Sequence, residues 1–451
     1  MNKFNPQELS DFAQYYGFHY NSINPQALVK EILIDMERGL DGRSSSLQMI
    51  PSYITPVTSI PHGKTVLALD AGGTNLRTSI LQFNENGEAV PQGTRKSLMP
   101  GTSGHVSAKE FFDTIADAAL PLLKDTKVEG IGFTFSYPME ITSDADGILL
   151  AFSKEIDAPD VIGKAVGKGL RDSLASKGCK YDGPIVLLND TVATLLSGLA
   201  SISPDGEKKR TRNDFNALPG PVIGFILGTG FNTAYPETKI PKIGFNSSSP
   251  QVIVCETGNF NIRSRGQLDI EYDNTTKTPG AYKLEKTAAG AYLGPLTHHI
   301  IKQAIKDNVI KFKKSGEFLA MPCLDSRTIN EFTLAPLKAE GPVGSLFDPD
   351  ESDALAAVQY IKTIITERGA LFSAAVLAAT VERMNCINEP YSPVRIAVEG
   401  TTYLIYKGMR RSLESYLHQM LYQKKPVPYV ISPVEQASLF GAAVAALSKK
   451  G

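Results

Sequence analysis

The chain has 451 residues, 42% of them hydrophobic and 21% charged, which is apolar material for two sizeable cores and too much for one compact domain; at least two domains are expected. Its 46 Lys and Arg nearly cancel its 47 Asp and Glu, which removes the electrostatic case for a nucleic acid or an anionic membrane as partner and leaves a small soluble substrate. Cys179, Cys255, Cys323 and Cys386 lie far apart without paired spacing, against a disulfide framework or a Cys-rich zinc site, so a reducing cytoplasm is the expected compartment. The N-terminus shows no basic stretch followed by an apolar core, and no apolar run approaches the roughly 20 residues that span a bilayer, so neither export nor a membrane span is expected.

Residues Pro6 to Leu40 read as one or two helices, because Val29, Ile32, Leu33, Met36 and Leu40 recur as a single apolar stripe suited to packing. Asp41 to Gly63, with a serine run, three prolines and two glycines, reads as a connection onto the first core strand. Short apolar strands follow, Val66 to Leu69 and Thr78 to Phe83, and Asn86-Gly87 signals a turn into the next extended stretch, which makes an antiparallel meander. Phe111, Phe112, Ile115, Ala119 and Leu122 mark a helix, and Val128 to Phe135 a further strand, the alternation expected of an α/β layered domain. An apolar strand then ends on Asn189-Asp190, and Thr191 to Leu199 reads as helix. Ser201 to Pro221 reads as an exposed loop, and its basic run Lys208 to Arg212 as solvated rather than as a nuclear-import or anion-binding patch. A second strand-turn-strand unit, Val222 to Leu227, Gly228-Thr229-Gly230, then Asn232 to Tyr235, echoes the first.

Two turns carry chemistry. In Asp70-Ala71-Gly72-Gly73-Thr74-Asn75-Leu76-Arg77, two glycines let successive backbone N–H groups approach an anion, and Thr74 and Asn75 add side-chain donors. Asp70 stands at a strand end, where a carboxylate can bind Mg²⁺ through water. The plain alternative is a strained hairpin turn, but Asp, Thr, Asn and Arg are costly choices for that. Two such turns facing each other across a cleft would hold a polyphosphate from both sides. The chain has neither a G-x-x-x-x-G-K-[ST] loop nor a G-x-G-x-x-G opening a helix, so hairpins are left as the phosphate holders. Asp190 falls where an N-cap would sit, and the same position keeps a carboxylate ionised through the helix dipole, as a proton acceptor requires.

Several stretches, in order, resemble the hexokinase family. Leu69 to Arg77 resembles its first phosphate hairpin, Gly132-Phe133-Thr134-Phe135-Ser136-Tyr137-Pro138 its sugar-binding strand and loop with Tyr137 where Phe is usual, and Phe152-Ser153-Lys154 its Thr-Lys segment with Ser for Thr. Asn189-Asp190-Thr191-Val192 matches the segment of the catalytic Asp, and Gly228-Thr229-Gly230-Phe231-Asn232 the second phosphate hairpin with its sugar-binding Asn. Glu256 in Cys255-Glu256-Thr257-Gly258, with Thr257 for the usual Trp, and Glu285 in Leu284-Glu285-Lys286 resemble the two sugar-binding glutamates. Val398-Glu399-Gly400-Thr401-Thr402-Tyr403 is similar to the adenosine segment with Glu399 for Asp, and Ser438-Leu439-Phe440-Gly441-Ala442-Ala443 to the last nucleotide segment, less a glycine and a lysine. The likeness runs from Met36 to the C-terminal helix.

The resemblance implies an α/β, two-lobed actin-like ATPase (ribonuclease H-like) fold around a central cleft. Residues 1–62 would form a helical segment on the large lobe, 63–190 with 433–451 the small lobe, and 191–432 the large lobe. It implies transfer of the γ-phosphoryl group of ATP to a hexose, with Mg²⁺ held at Asp70 through water and Asp190, Lys154 and Arg77 as the catalytic residues. The sugar would be held by Ser136, Pro138, Ser153, Lys154, Asn189, Asp190, Asn232, Glu256 and Glu285. The nucleotide would be held by Asp70, Gly72, Gly73, Thr74, Asn75, Arg77, Gly228, Thr229, Gly230, Gly400, Thr401 and Ser438. Two competing readings are a non-sugar ATPase of the same two-lobed class, which has no use for Glu256, Glu285 and Lys154, and a weakly catalytic hexose sensor, which has none for Asp190. Monomer and homodimer both remain open.

Overall fold

The computed structural model describes residues 4–56, 62–85, 88–152, 156–199, 201–202, 220–334, 341–384, 393–422 and 426–448. Ser153, Lys154, the Asn86-Gly87 turn, the basic run 208–212 and Cys386 lie outside the described residues.

Residues 6–40 form two helices, α1 (Pro6–Tyr15) and α2 (Pro25–Leu40). Both start on Asn-Pro: the side chains of Asn5 and Asn24 accept from the first free N–H groups, and proline takes the position where no N–H is needed. The expected stripe of α2 is buried at Val29, Ile32, Met36 and Leu40, within the same core as the large sheet described below. The following connection does more than lead to the first core strand. Its segment β1 (Ile50–Pro51) pairs with Ile253 and Val254, and Ser52 donates from its backbone N–H to the Val252 carbonyl.

The first sheet contains β2 (Thr65–Ala71), β3 (Asn75–Phe83), β4 (Glu88–Leu98), β5 (Ile131–Phe135), β8 (Ile185–Leu188) and β9 (Ser201–Ile202), in the order β8-β5-β2-β3-β4-β9. The meander β2-β3-β4 is antiparallel, while β5 and β8 run parallel to β2. The regular part of β5 starts at Ile131, three residues later than expected, and the expected loop from Ser201 begins with a two-residue strand. Leu67, Leu69 and Ala71 face one core and Val66 and Ala68 another, so β2 is covered on both faces and reads as an apolar run. On the outer face lie α3 (Ala108–Asp125), opened by a capping box between Ser107 and Glu110, and α4 (Val166–Ser176). A small hairpin, β6 (Met139–Ile141) with β7 (Gly147–Leu149), follows β5.

The second sheet repeats this plan. Its strands β10 (Val222–Leu227), β11 (Phe231–Ile240), β12 (Phe245–Val254), β13 (Val394–Glu399) and β14 (Tyr429–Pro433) take the order β1-β12-β11-β10-β13-β14. The meander β10-β11-β12 is antiparallel and β13 and β14 are parallel to β10, so the echo between the two strand-turn-strand units extends to whole sheets. Helices α6 (Gln267–Asp273), α7 (Glu285–Ala288) and α8 (Gly290–Lys306) lead through the short α9 (Ser315–Ala320), α10 (Ser326–Leu334) and α11 (Gly341–Gly344) to α12 (Ser352–Arg383). Contrary to the sequence expectation, α12 is long and apolar enough to cross a membrane by length and composition. Its most apolar stretch is almost wholly buried inside this lobe, and Lys362, Glu367 and Arg368 break the apolar run that the expectation looked for. After β13 come α13 (Thr401–Ile405) and α14 (Met409–Tyr422).

Between the sheets lie α5 (Asp190–Ser197) and α15 (Ala437–Ala446), sharing one core with both. Glycine sets their close approach: a Cβ on Gly132 of β5 would strike the Ala442 carbonyl, and one on Gly441 would strike the backbone of Ala193. Two lobes therefore meet through a pair of tightly apposed helices.

Candidate functional site

Parallel strands β2, β5, β8, β10 and β13 all end at the same cleft, the place where open α/β sheets leave loop residues free to bind ligands. A cavity of about 350 Å³ opens there. It is lined by Asp70, Gly72, Asn75 and Arg77 of the β2–β3 hairpin, Ser136 after β5, and Asp190 after β8. Ile226, Gly228 and Thr229 from β10 and its turn, Glu399, Gly400 and Thr401 after β13, and Ser438 of α15 complete the wall. The two glycine turns thus face one space, with Asp190 between them.

The first turn is fixed by the β2/β3 ladder, which sets Asp70 opposite Arg77 with their charged ends 3.8 Å apart. Gly72 lies against Asp70, where a Cβ would come within 3.2 Å of Oδ1. Gly73 holds φ 144°, and its carbonyl accepts from the Tyr137 hydroxyl at 2.6 Å. This bond ties the loop of Ser136 and Pro138 to the glycine turn, and Ser136 also donates its N–H to the Ala71 carbonyl. Burial pushes the Tyr137 phenol up to about 12, so it stays protonated as the donor.

The second turn is held from behind. The Gly228 carbonyl accepts from Gly290 N–H and from the Thr402 hydroxyl, both at 2.8 Å, and the Thr229 carbonyl accepts from Ala291 N–H at the start of α8. Gly400 has φ 128°, and a Cβ there would collide with the Leu227 carbonyl, so only glycine lets α13 start this close to the turn.

Asp190 is the first residue of α5, and the N-cap is Asn189, which corrects the expectation that Asp190 caps the helix. Asn189 Oδ1 accepts from Thr191 N–H at 2.7 Å, a bond worth about 1 kcal/mol to the helix start. The cap task therefore leaves the Asp190 carboxylate at the cavity wall, within the field of the helix N-terminus. The helix ends at Ser197, with Gly198 at its C-cap, two residues short of the expected Leu199.

Beside the cavity, Glu256 Oε1 accepts from Asn232 Nδ2 at 2.9 Å, and Glu285 Oε2 accepts from Phe231 N–H at 3.1 Å. Burial pushes the Glu256 carboxyl up to about 7, against the pull of Asn232 and with added repulsion from Asp190 and Glu285. Glu285 is likewise raised by burial, with Phe231 N–H and Lys286 opposing and Asp190 adding to it. Glu399 is raised to about 7 by burial and Asp190, while its bond from the Thr194 hydroxyl opposes the shift. Glu256 also holds φ 56°, a left-handed conformation that costs a non-glycine residue about 1–3 kcal/mol and tends to mark functional sites.

Of the residues named from sequence, Asp70, Gly72, Asn75, Arg77, Ser136, Asp190, Gly228, Thr229, Gly400, Thr401 and Ser438 line the cavity together. Gly73, Thr74 and Gly230 complete the two turns, Asn232, Glu256 and Glu285 form the adjoining polar cluster, Asn189 caps α5, and Pro138 is exposed at the head of the following hairpin. Ser153 and Lys154 lie outside the described residues. Sequence reading missed the Tyr137 bond to Gly73, although the Tyr at a Phe position signalled a hydroxyl in need of a partner. Among the described residues no three His, Cys, Asp or Glu side chains gather to hold a metal unaided. The hard carboxylate oxygens of Asp70 beside a glycine turn nonetheless fit Mg²⁺, which prefers oxygen ligands and keeps several waters.

Two family profiles, both described as hexokinase, match residues 11–200 and 222–448. Among curated relatives, the chain is 28% identical to hexokinase-2 of Candida albicans over 94% of this chain and 89% of that one. It is 27% identical to hexokinase-1 of Saccharomyces cerevisiae over 99% and 93%, and 27% identical to glucokinase-1 of the same yeast over 85% of each. In fold it is similar to the hexokinase of Schistosoma mansoni solved in complex with glucose, with a TM-score of 0.73 at 24% identity over 99% of this chain and 100% of that one. The two-lobed actin-like architecture, the paired glycine turns and these matches lead to one conclusion: the chain belongs to the hexokinase family, the ATP-dependent hexose kinases.

Proposed function

We propose that the chain transfers the γ-phosphoryl group of ATP to the 6-hydroxyl of a hexose, with glucose the preferred acceptor, as the first step of glycolysis. The observation that carries this reading is the single cleft in which two glycine turns face each other, Asp190 lies between them, and Asn232, Glu256 and Glu285 adjoin. Polyhydroxylated substrates call for such a set of acceptors and donors, and a bare ATPase does not.

Arg77 and the backbone N–H groups of the two turns bind the triphosphate, and Asp70 would hold the accompanying Mg²⁺. Mg²⁺ supplies charge neutralisation along the phosphate chain. Asn232, Glu256 and Glu285 orient the sugar, with Ser136, Asn189, Ser153 and Lys154 completing the set, and Asp190 accepts the proton of the attacking hydroxyl.

A panel of hexoses with ATP and Mg²⁺, read by ADP release, tests the reading: glucose should give the highest kcat/KM, and a flat response across the panel contradicts it. Asp190→Ala should lose at least about 100-fold in kcat, the lower end for a general base, while glucose binding persists. A variant keeping a tenth of the wild-type rate removes Asp190 from that role.

A further inference from the structure

Behind Glu285 lies a buried ionic cluster that the chemistry described so far does not use. Lys286 is almost fully buried, and its ammonium donates to Asp273 Oδ1 and to the Thr278 carbonyl. Asp273 Oδ2 accepts from Arg265 Nη2 at 2.9 Å and from Gly280 N–H at 3.1 Å. Asp269 is held by Arg368 of α12 in a two-pronged pair at 2.7 and 2.6 Å. Ion pairs this deeply buried lose much of their gain to desolvation, so stability alone is a weak reason for the cluster.

Its geometry suggests another. Asp273 ends α6 and Glu285 begins α7, so the Asp273–Lys286 pair and the Asp273–Gly280 bond close the base of the loop that delivers Glu285 to the cleft. Its charge suggests the same: Arg265, Lys286 and Arg368 face two carboxylates, Asp269 and Asp273, leaving one positive charge unbalanced among the described residues. The groups that act on Glu285 are Asp190 from α5, Glu256 beyond β12, Tyr292 from α8, the Phe231 N–H and Lys286. Lys286 is the one cation in that set.

We propose that Lys286, clamped by Asp273, is a positioning residue for hexose binding: it fixes the loop that presents Glu285 and supplies the positive charge that offsets this carboxylate beside Asp190 and Glu256. The electrostatics agree in direction. Burial opposes an ionised Asp273, yet Lys286, Arg265 and the Gly280 N–H outweigh it and hold that carboxyl below its ordinary range, so the clamp stays charged. Lys286 opposes the upward push on Glu285. The proposal rests on Glu285 being a sugar contact.

The test is the hexose KM between pH 5.5 and 8.5 for wild type, Lys286→Met, Lys286→Arg and Asp273→Asn. Without its cation Glu285 takes up a proton more readily, so Lys286→Met should raise KM about tenfold over wild type at pH 6 and less than about threefold at pH 8.5. Lys286→Arg should restore the wild-type profile. Asp273→Asn removes a negative charge and should move the normalised profile the opposite way, toward acid. A merely structural cluster predicts equal KM increases at every pH for both variants, and that result overturns the proposal; should Lys286→Met fail to fold, the direction of the Asp273→Asn shift decides it. Glu285→Gln is run alongside. An unchanged KM in that variant removes Glu285 from the sugar site and the proposal with it, whereas a raised KM with unshifted Lys286 and Asp273 profiles defeats the Lys286 role alone.

Discussion

At the scale of single residues, the cleft holds more carboxylates than an empty protein keeps ionised. Glu256 sits near 7 because burial disfavours its charge, and Asp190 and Glu285 add repulsion. Sugar hydroxyls donating to Glu256 favour the ionised form, so hexose binding near or below pH 7 should release a proton. Calorimetry at pH 6.5 in buffers of different ionisation enthalpy should show that release in wild type and its loss in Glu256→Gln, with KM raised about tenfold or more as a charge-assisted bond is lost. Proton uptake, or an unchanged KM, would remove Glu256 from the site. The same shift fixes a sign for stability. The folded carboxyl holds its proton above the pH at which the unfolded one releases it, so Glu256 costs the empty protein stability as pH rises from about 4.5 to about 7. Glu256→Gln should flatten that part of the Tm–pH curve. Residue identities were legible because glycine, Asp and Asn after apolar strands are costly choices there. The Asp190 N-cap assignment was not, because Asn189 competes for the same position and a one-residue offset cannot be seen without backbone angles.

At the scale of elements, the strands and helices that build the cleft follow from local rules. The apolar stripe of α2, the helical spacing of α3 and the apolar run of β2 all read directly from the sequence. What stayed hidden depends on partners distant in the chain: the pairing of β1 with β12, and the burial of α12, whose Lys362, Glu367 and Arg368 interrupt its apolar stretch. The Tyr137–Gly73 bond belongs to this class. It joins the loop of Ser136 to the first glycine turn, and its donor is buried. Tyr137→Phe should cost about 1–3 kcal/mol of stability, because the Gly73 carbonyl loses its partner, and should raise KM for ATP more than KM for glucose. Equal changes in both, or none, would mean that the bond does not set the turn.

At the scale of the molecule, two sheets of the same plan meet through α5 and α15, and each contributes one glycine turn to a cavity neither lobe encloses alone. The repeated plan was visible in sequence only as an echo between two turns, since strand order depends on pairings between segments distant in the chain. On the proposed reading the reacting groups are held from both lobes, so their alignment depends on how the lobes sit, and water is a competent phosphoryl acceptor. The binding energy of the whole hexose is then needed to assemble the reactive geometry, because a pocket cannot by size exclude a hydroxyl as small as that of water. The most direct measurement is ADP release by the purified chain with ATP and Mg²⁺, with and without saturating glucose. The account predicts that sugar-free hydrolysis is slower than transfer by several orders of magnitude, roughly the scale attributed to positioning. Equal rates with and without glucose would contradict it and make the chain an ATPase indifferent to sugar.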